Sequence, residues 1–150
     1  MRSLFKRNSP KLFLTKGQTT LLVARVAAFE KTTGCELVFH FRRRLGPKPE
    51  EKNRALFHKF ALDRTSDHRA ILVTLAVQER TYAIWADEGV EKHAGRELHD
   101  RIGQHLKSHL AGGDHLEALL GAVDIAERAL RGSFSKNHSG NEIPDEPIIE

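Results

Sequence analysis

The sequence predicts one mixed α/β domain with a small mixed sheet containing one βαβ crossover and one β-hairpin. Its elements should run helix, strand, helix, strand, strand, helix, helix. Three observations carry this prediction. In the stretch 67–91 two apolar runs, 70–77 and 81–86, flank the polar Gln78-Glu79-Arg80, the pattern of a hairpin. An earlier apolar run at 35–42 is joined to the first of these by a segment of helical periodicity, as in a βαβ unit. Beyond the hairpin, apolar residues recur at three- and four-residue spacing as far as Leu130.

The first helix starts at a capping box, Thr15 with Gln18 three residues on, and carries Leu22, Val26 and Phe29 on one stripe. Gly34 is placed to end it. Residues 35–42 are apolar at Leu37, Val38, Phe39 and Phe41, which suits a strand buried on both faces. Gly46-Pro47-Lys48-Pro49 breaks that strand. Residues 50–62 put Leu56, Phe57, Phe60 and Ala61 on one helical face, with acids first and bases last, the order the helix dipole favours. A third helix is expected over 90–109, with Leu98, Ile102, Leu106 and Leu110 inward and Gly95 and Gly103 as weak points. Gly112-Gly113 closes it. Asp114 is a candidate N-cap, with Glu117 completing a box, for a last helix striped by Leu116, Leu119, Leu120, Val123, Ala126 and Leu130. The domain should therefore span 13–132, between a flexible basic N-terminus, 1–12, and a polar tail, 133–150, expected to be mobile.

This topology has a geometric consequence. If 35–42 and 70–77 run parallel and 81–86 returns antiparallel, Glu36, Asp67 and Asp87 meet at one end of the sheet.

Composition narrows the function classes. No apolar run approaches the about 18 residues that span a bilayer. Leu12-Phe13-Leu14 is far shorter than the roughly 7–15 apolar residues of a signal-peptide core, so a cytoplasmic location is expected. The single cysteine, Cys35, excludes an internal disulfide, and its apolar surroundings suit a buried, inert thiol. Charge is uneven: residues 1–60 are net +10 and residues 61–150 net −6, together the +4 of the whole chain. Arg42, Arg43 and Arg44 are the densest basic point and could meet a polyanion through salt-sensitive phosphate contacts. No aromatic residues interleave with them and no nucleic-acid module is present, so a solvated basic face is the plainer reading and nucleic acid is not an expected partner.

The first candidate chemistry is a carboxylate set of Asp67, Asp87, Glu91 and Asp114, joined by Glu36. Hard divalent cations such as calcium take six to eight oxygens, which carboxylates and loop carbonyls supply. The set is discontinuous, and Asp114 has the competing task of capping a helix. His105 and His109 lie one helical turn apart, a zinc-compatible spacing, but lack further placed ligands and a glutamate between them. Ser66-Asp67-His68 holds the residue types of a hydrolytic triad, although chain neighbours seldom point at one another. No phosphate-cradling glycine loop occurs. Tyr82 and Trp85 should face opposite sides of their strand, one in the core and one partly exposed.

Several of these segments together resemble the TPM domain family over roughly residues 13–131. Thr33-Gly34-Cys35-Glu36-Leu37 is similar to its Ser-Gly-Glu-Ile entry to the first strand, and Asp67-His68 followed by Arg69-Ala70-Ile71-Leu72-Val73 to the Asp-Asn opening its second. Residues 83–90 resemble its third strand and glycine turn, Gly113-Asp114 with Gly121 its Gly-Asp and helix glycine, and residues 141–146 the tail of short stand-alone members. The resemblance implies a three-layer α/β/α sandwich. It further implies, for some members, calcium binding at the loops, weak acid phosphatase activity, and partners among membrane-associated proteins. The leading expectation is a non-catalytic binding or regulatory module that holds calcium at the acidic edge and serves the maintenance or regulation of membrane-associated proteins. One rival is a weak metal-assisted acid phosphatase, its ion held by Asp67, Asp87 and Asp114. The other is polyanion binding through Arg42, Arg43 and Arg44. Whether the chain is an enzyme, and its oligomeric state, stay open at this point.

Overall fold

The computed structural model describes residues 9–134 and 142–150, so the expectations for 1–8 and 135–141 lie outside the described residues. Among these residues, five α-helices surround a four-stranded mixed sheet: α1 (Lys16–Thr33), β1 (Glu36–Arg42), α2 (Pro49–Lys59), β2 (Ala70–Ala76), β3 (Thr81–Ala86), α3 (Glu88–Ala94), α4 (Glu97–Ala111), α5 (His115–Leu130) and β4 (Ile148–Ile149). Short 3-10 turns occupy Pro10–Leu12, Leu62–Arg64 and Ser66–His68.

The strand order is β3-β2-β1-β4. β1 and β2 are parallel from Glu36↔Ala70 to Arg42↔Ala76, with α2 as their connection. β2 and β3 are the expected antiparallel hairpin, from Ile71↔Ala86 to Ala76↔Thr81. Side-chain alternation then sorts the core into two layers. Leu37, Phe39, Phe41, Ile71, Val73 and Leu75 face α1, α4 and α5, meeting Leu22, Val26, Phe29, Leu106, Leu119 and Val123. Val38, Leu72, Ala76 and Ala83 face the opposite way, onto Leu56 and Phe57 of α2 and Leu62. The result is the three-layer sandwich.

Local sequence explains most boundaries. The Thr15–Gln18 capping box forms in both directions, and Gly34, left-handed at φ 78, closes α1 by donating its N–H to Glu30 O. The helix expected over 90–109 is two helices. Asp87 caps α3, which starts two residues earlier than expected, and Gly95, at φ 70 and ψ −176, takes a backbone conformation reserved for glycine that ends it. Gly103 instead stays helical inside α4, where the Tyr82 ring packs on it. Asp114 stands at the N-cap of α5, but its side chain makes no capping bond.

Residues 133–150, expected to be a mobile tail, include a stretch with a fixed course. Residues 142–150 run along the sheet's β1 side, and Ile148 and Ile149 pair with His40 and Phe41 as β4. Its composition is polar, yet it carries Ile143 and Ile148, which pack on the α2 face, and two acids, Glu142 and Glu150, that meet buried Arg69 and His40.

Candidate functional site

The register places Glu36, Asp67 and Asp87 at the same end of the sheet, because Glu36 N–H donates to Arg69 O and Asp87 N–H to Ala70 O. They do not converge on one point. Asp67 is exposed, at φ 60 in the turn Ser66–His68. Asp87 is buried, with Oδ1 accepting from Glu88 N–H at 2.8 Å and Oδ2 3.2 Å from His68 Nδ1. Its carboxylate is committed to capping α3 and holding His68. Glu91 is exposed on α3 and lines an open cleft outside β3 with Tyr82, Trp85, His99 and Asp100. Asp114 is at the other end of the sheet, beside Gly112, Gly113 and His115, around a cleft of about 280 Å³ floored by Leu75, Ala76 and Thr81. Six strand residues, roughly 20 Å, separate that end from Asp87. A single ion cannot join Asp67, Asp87 and Asp114.

Of the predicted ligands, Glu36 enters a cluster that sequence reasoning did not assemble. Carboxylate oxygens of Glu30, Glu36 and Asp145 lie within 4.8 Å of one another. Glu30 comes from the last turn of α1, Glu36 opens β1, and Asp145 lies on the docked segment 142–150. Glu30 and Glu36 are 7% and 1% exposed, and their Oε1 and Oε2 atoms respectively have no hydrogen-bond donor. Leu37 N–H donates to the other Glu30 oxygen at 3.0 Å, and Glu142 N–H to Glu36 Oε1 at 2.7 Å.

One buried cation faces these acids. Arg69, 3% exposed, donates from Nη1 to Gly34 O and sets Nη2 3.6 Å from Glu36 Oε1 and 3.2 Å from Glu142 Oε2. Ser66 adds its hydroxyl at 2.7 Å and its N–H at 3.0 Å to the Glu142 carboxylate. Although burial works the other way, Ser66 and Arg69 hold the Glu142 carboxyl below the usual carboxylate range. Glu30 goes the opposite way: burial, then Asp145 and Glu36, push its pKa up to about 11 against the pull of Leu37 N–H. A carboxyl in that setting keeps its proton unless another positive charge takes its place. Three hard oxygens this close match the spacing of ligands on one calcium, since calcium–oxygen bonds of about 2.4 Å set opposite ligands about 4.8 Å apart.

Sequence reasoning missed Glu30 and Arg69. Glu30 had a signal: it lies four residues after Val26 on the buried stripe Leu22, Val26, Phe29, Glu30, Thr33. A charge on a buried stripe needs a partner. Arg69 was legible only as the residue before a strand.

The remaining candidates find structural roles. His105 Nε2 lies 3.1 Å from Glu117 O and its ring fills the space over Gly121, while His109 Nδ1 lies 3.1 Å from His105 O. The pair packs α4 against α5. Cys35 is fully buried, and burial raises its pKa to about 12 even with Thr33 and Arg69 nearby. Tyr82 and Trp85 face opposite sides of the sheet as expected, and both are half-buried. Arg42 is partly buried, 3.4 Å from Glu150, whereas Arg43 and Arg44 are exposed, with Arg44 Nε 3.4 Å from Gln78 Oε1. The three arginines are not one patch. A chain resembling a triad, Thr74 Oγ1 to His40 Nδ1 at 3.1 Å and His40 Nε2 to Glu150 Oε1 at 2.5 Å, has its threonine fully buried and donating to Asn53 Oδ1 at 2.6 Å. No substrate reaches that hydroxyl.

Comparison with known proteins agrees with this fold. The family model described as the TPM domain matches residues 8–129. The solved structure of the BA42 protein from the psychrophilic bacterium Bizionia argentinensis is similar, with TM-score 0.84 and 22% identity, covering 92% of this chain and 96% of that one. The N-terminal domain of a P. gingivalis protein is similar at TM-score 0.70 and 20% identity, covering 85% of this chain and 83% of that one. The search of curated proteins found no match.

Proposed function

The chain belongs to the TPM domain family, and from that premise we propose that it is a non-catalytic binding and regulatory module, serving membrane-associated proteins, whose acidic pocket takes a divalent cation, calcium foremost. The supporting observation is the pocket itself: two carboxylates more than nine-tenths buried, each with an oxygen lacking a donor, turned toward a third carboxylate. Glu30, Glu36 and Asp145 would be the ligands, and Arg69 would stay outside the ion as the counter-charge of Glu142 and Glu36. The ion would supply the positive charge that the proton on Glu30 otherwise provides. Of the carboxylates expected from sequence, Asp67, Asp87, Glu91, Asp114 and Glu36, this set contains only Glu36. No helix among the described residues is long and apolar enough to cross a membrane.

Calorimetric titration with calcium chloride tests this reading. Wild type and Asp114→Asn should bind with equal affinity, and Glu36→Gln at least tenfold more weakly. Equal binding by wild type and Glu36→Gln would remove the pocket as the site.

A further inference from the structure

The acidic pocket is built by two separate parts of the chain, and one of them is held to the domain at several points. Residues 142–150 touch the body at three places. At the near end, Glu142 gives its N–H to Glu36 and its carboxylate to Ser66 and Arg69. In the middle, Asp145 joins Glu30 and Glu36. At the far end, Ile148 and Ile149 pair with β1, Glu150 N–H donates to Phe41 O at 3.0 Å, and the Glu150 carboxylate sits between His40, Arg42 and Lys59.

These anchors differ in what they meet. The far anchor brings a carboxylate to basic groups and is favourable as it stands. The near anchor likewise seats the Glu142 carboxylate on Ser66 and Arg69, whereas the middle anchor brings Asp145 to a place that already holds Glu30 and Glu36. Carboxylates crowded into a site of low polarity oppose one another unless a proton or a cation intervenes. A divalent ion held by Glu30 and Glu36 would gain Asp145 as a further ligand only while the segment is docked.

We propose that cation binding and docking of residues 142–150 are one coupled event: the segment is a latch along β1 that the cation closes. This rests on the cation reading above and adds how that site is regulated. The coupling is reciprocal, so whatever factor the ion contributes to docking, docking contributes to ion affinity. Opening the latch uncovers β1, whose freed N–H and C=O groups are those an added strand would pair with.

Hydrogen exchange of the Glu142 and Glu150 amides, read on the full chain with and without calcium chloride and alongside calorimetry, tests the coupling. Both amides donate hydrogen bonds only when the segment is docked. Calcium should slow their exchange at least tenfold in wild type and not in Asp145→Asn. Glu150→Gln is the sharper variant, because Glu150 is remote from the ion and no ligand to it. It should weaken calcium binding severalfold and leave Glu30 and Glu36 in place. Calcium bound with unchanged exchange at both amides, or unchanged affinity in Glu150→Gln, would overturn the latch and leave the cation site standing. Absence of calcium binding in wild type would overturn the cation site together with the latch.

Discussion

Position 30 carries a glutamate where the packing of α1 provides a buried slot, next to Phe29 and one turn from Val26. An ionised carboxylate there would be costly without compensation, and burial accordingly raises its pKa. Cys35, on the neighbouring loop, meets the same low polarity with a different outcome. Its pKa of about 12 leaves almost no thiolate at pH 8, and the side chain is sealed. Iodoacetamide at pH 8 should label it in urea and leave it unlabelled in the native protein over the same hour; prompt native labelling would contradict the burial. The inert thiol was legible in sequence because its neighbours are apolar. The carboxylate pocket was legible only in part. Glu36 followed from strand register, but its companions come from helical phase (Glu30), from the residue before a strand (Arg69) and from a polar segment more than 100 residues away (Asp145). No local pattern encodes that meeting.

At the level of elements, alternation and capping made α1, β1, α2 and the hairpin readable, and the βαβ logic gave the parallel pairing of β1 with β2. What escaped depended on single backbone conformations or on distant pairing. Gly95 could have remained helical, as Gly103 does, but takes φ 70 at the end of α3. β4 pairs over only two residues, too short for periodicity to reveal. The junction of β3 with α3 has a similar dependence. A Cβ on Gly89 would stand 2.1 Å from Asp67 O and 2.6 Å from His68 O, both backbone atoms, so the turn before β2 is pressed against the first turn of α3. Gly89→Ala should therefore cost about 1–3 kcal/mol in urea denaturation. Gly17→Ala, at an exposed site in the first turn of α1 with open space around it, should instead add about 0.5–1 kcal/mol. Equal effects of the two changes would show that the turn yields without strain.

Across the whole molecule, folding sets the basic first part of the chain against the acidic second part. Arg25 on α1 binds Asp124 at 2.9 Å and Glu127 at 3.1 Å on α5, while Arg42 and Lys59 reach Glu150. Sequence counts alone therefore overstate the free positive field. Among the described residues, the three arginines point to different partners: Arg42 ends β1 beside Glu150, Arg43 is exposed just past it, and Arg44 reaches Gln78, while Arg54 lies 5.0 Å over the Trp85 ring. A polyanion surface needs several bases free on one face, since each phosphate neutralised adds to the salt dependence. We therefore expect weak retention on heparin, lost between about 50 and 200 mM salt. Changing Arg42, Arg43 and Arg44 together to serine should leave the elution salt unchanged while lowering the melting temperature, because Arg42→Ser removes a partner of Glu150 beside the β4 pairing. Elution of that triple variant at clearly lower salt would mean that the three arginines act as a polyanion site after all, and that the ion pair between Arg42 and Glu150 gives way when a polyanion arrives.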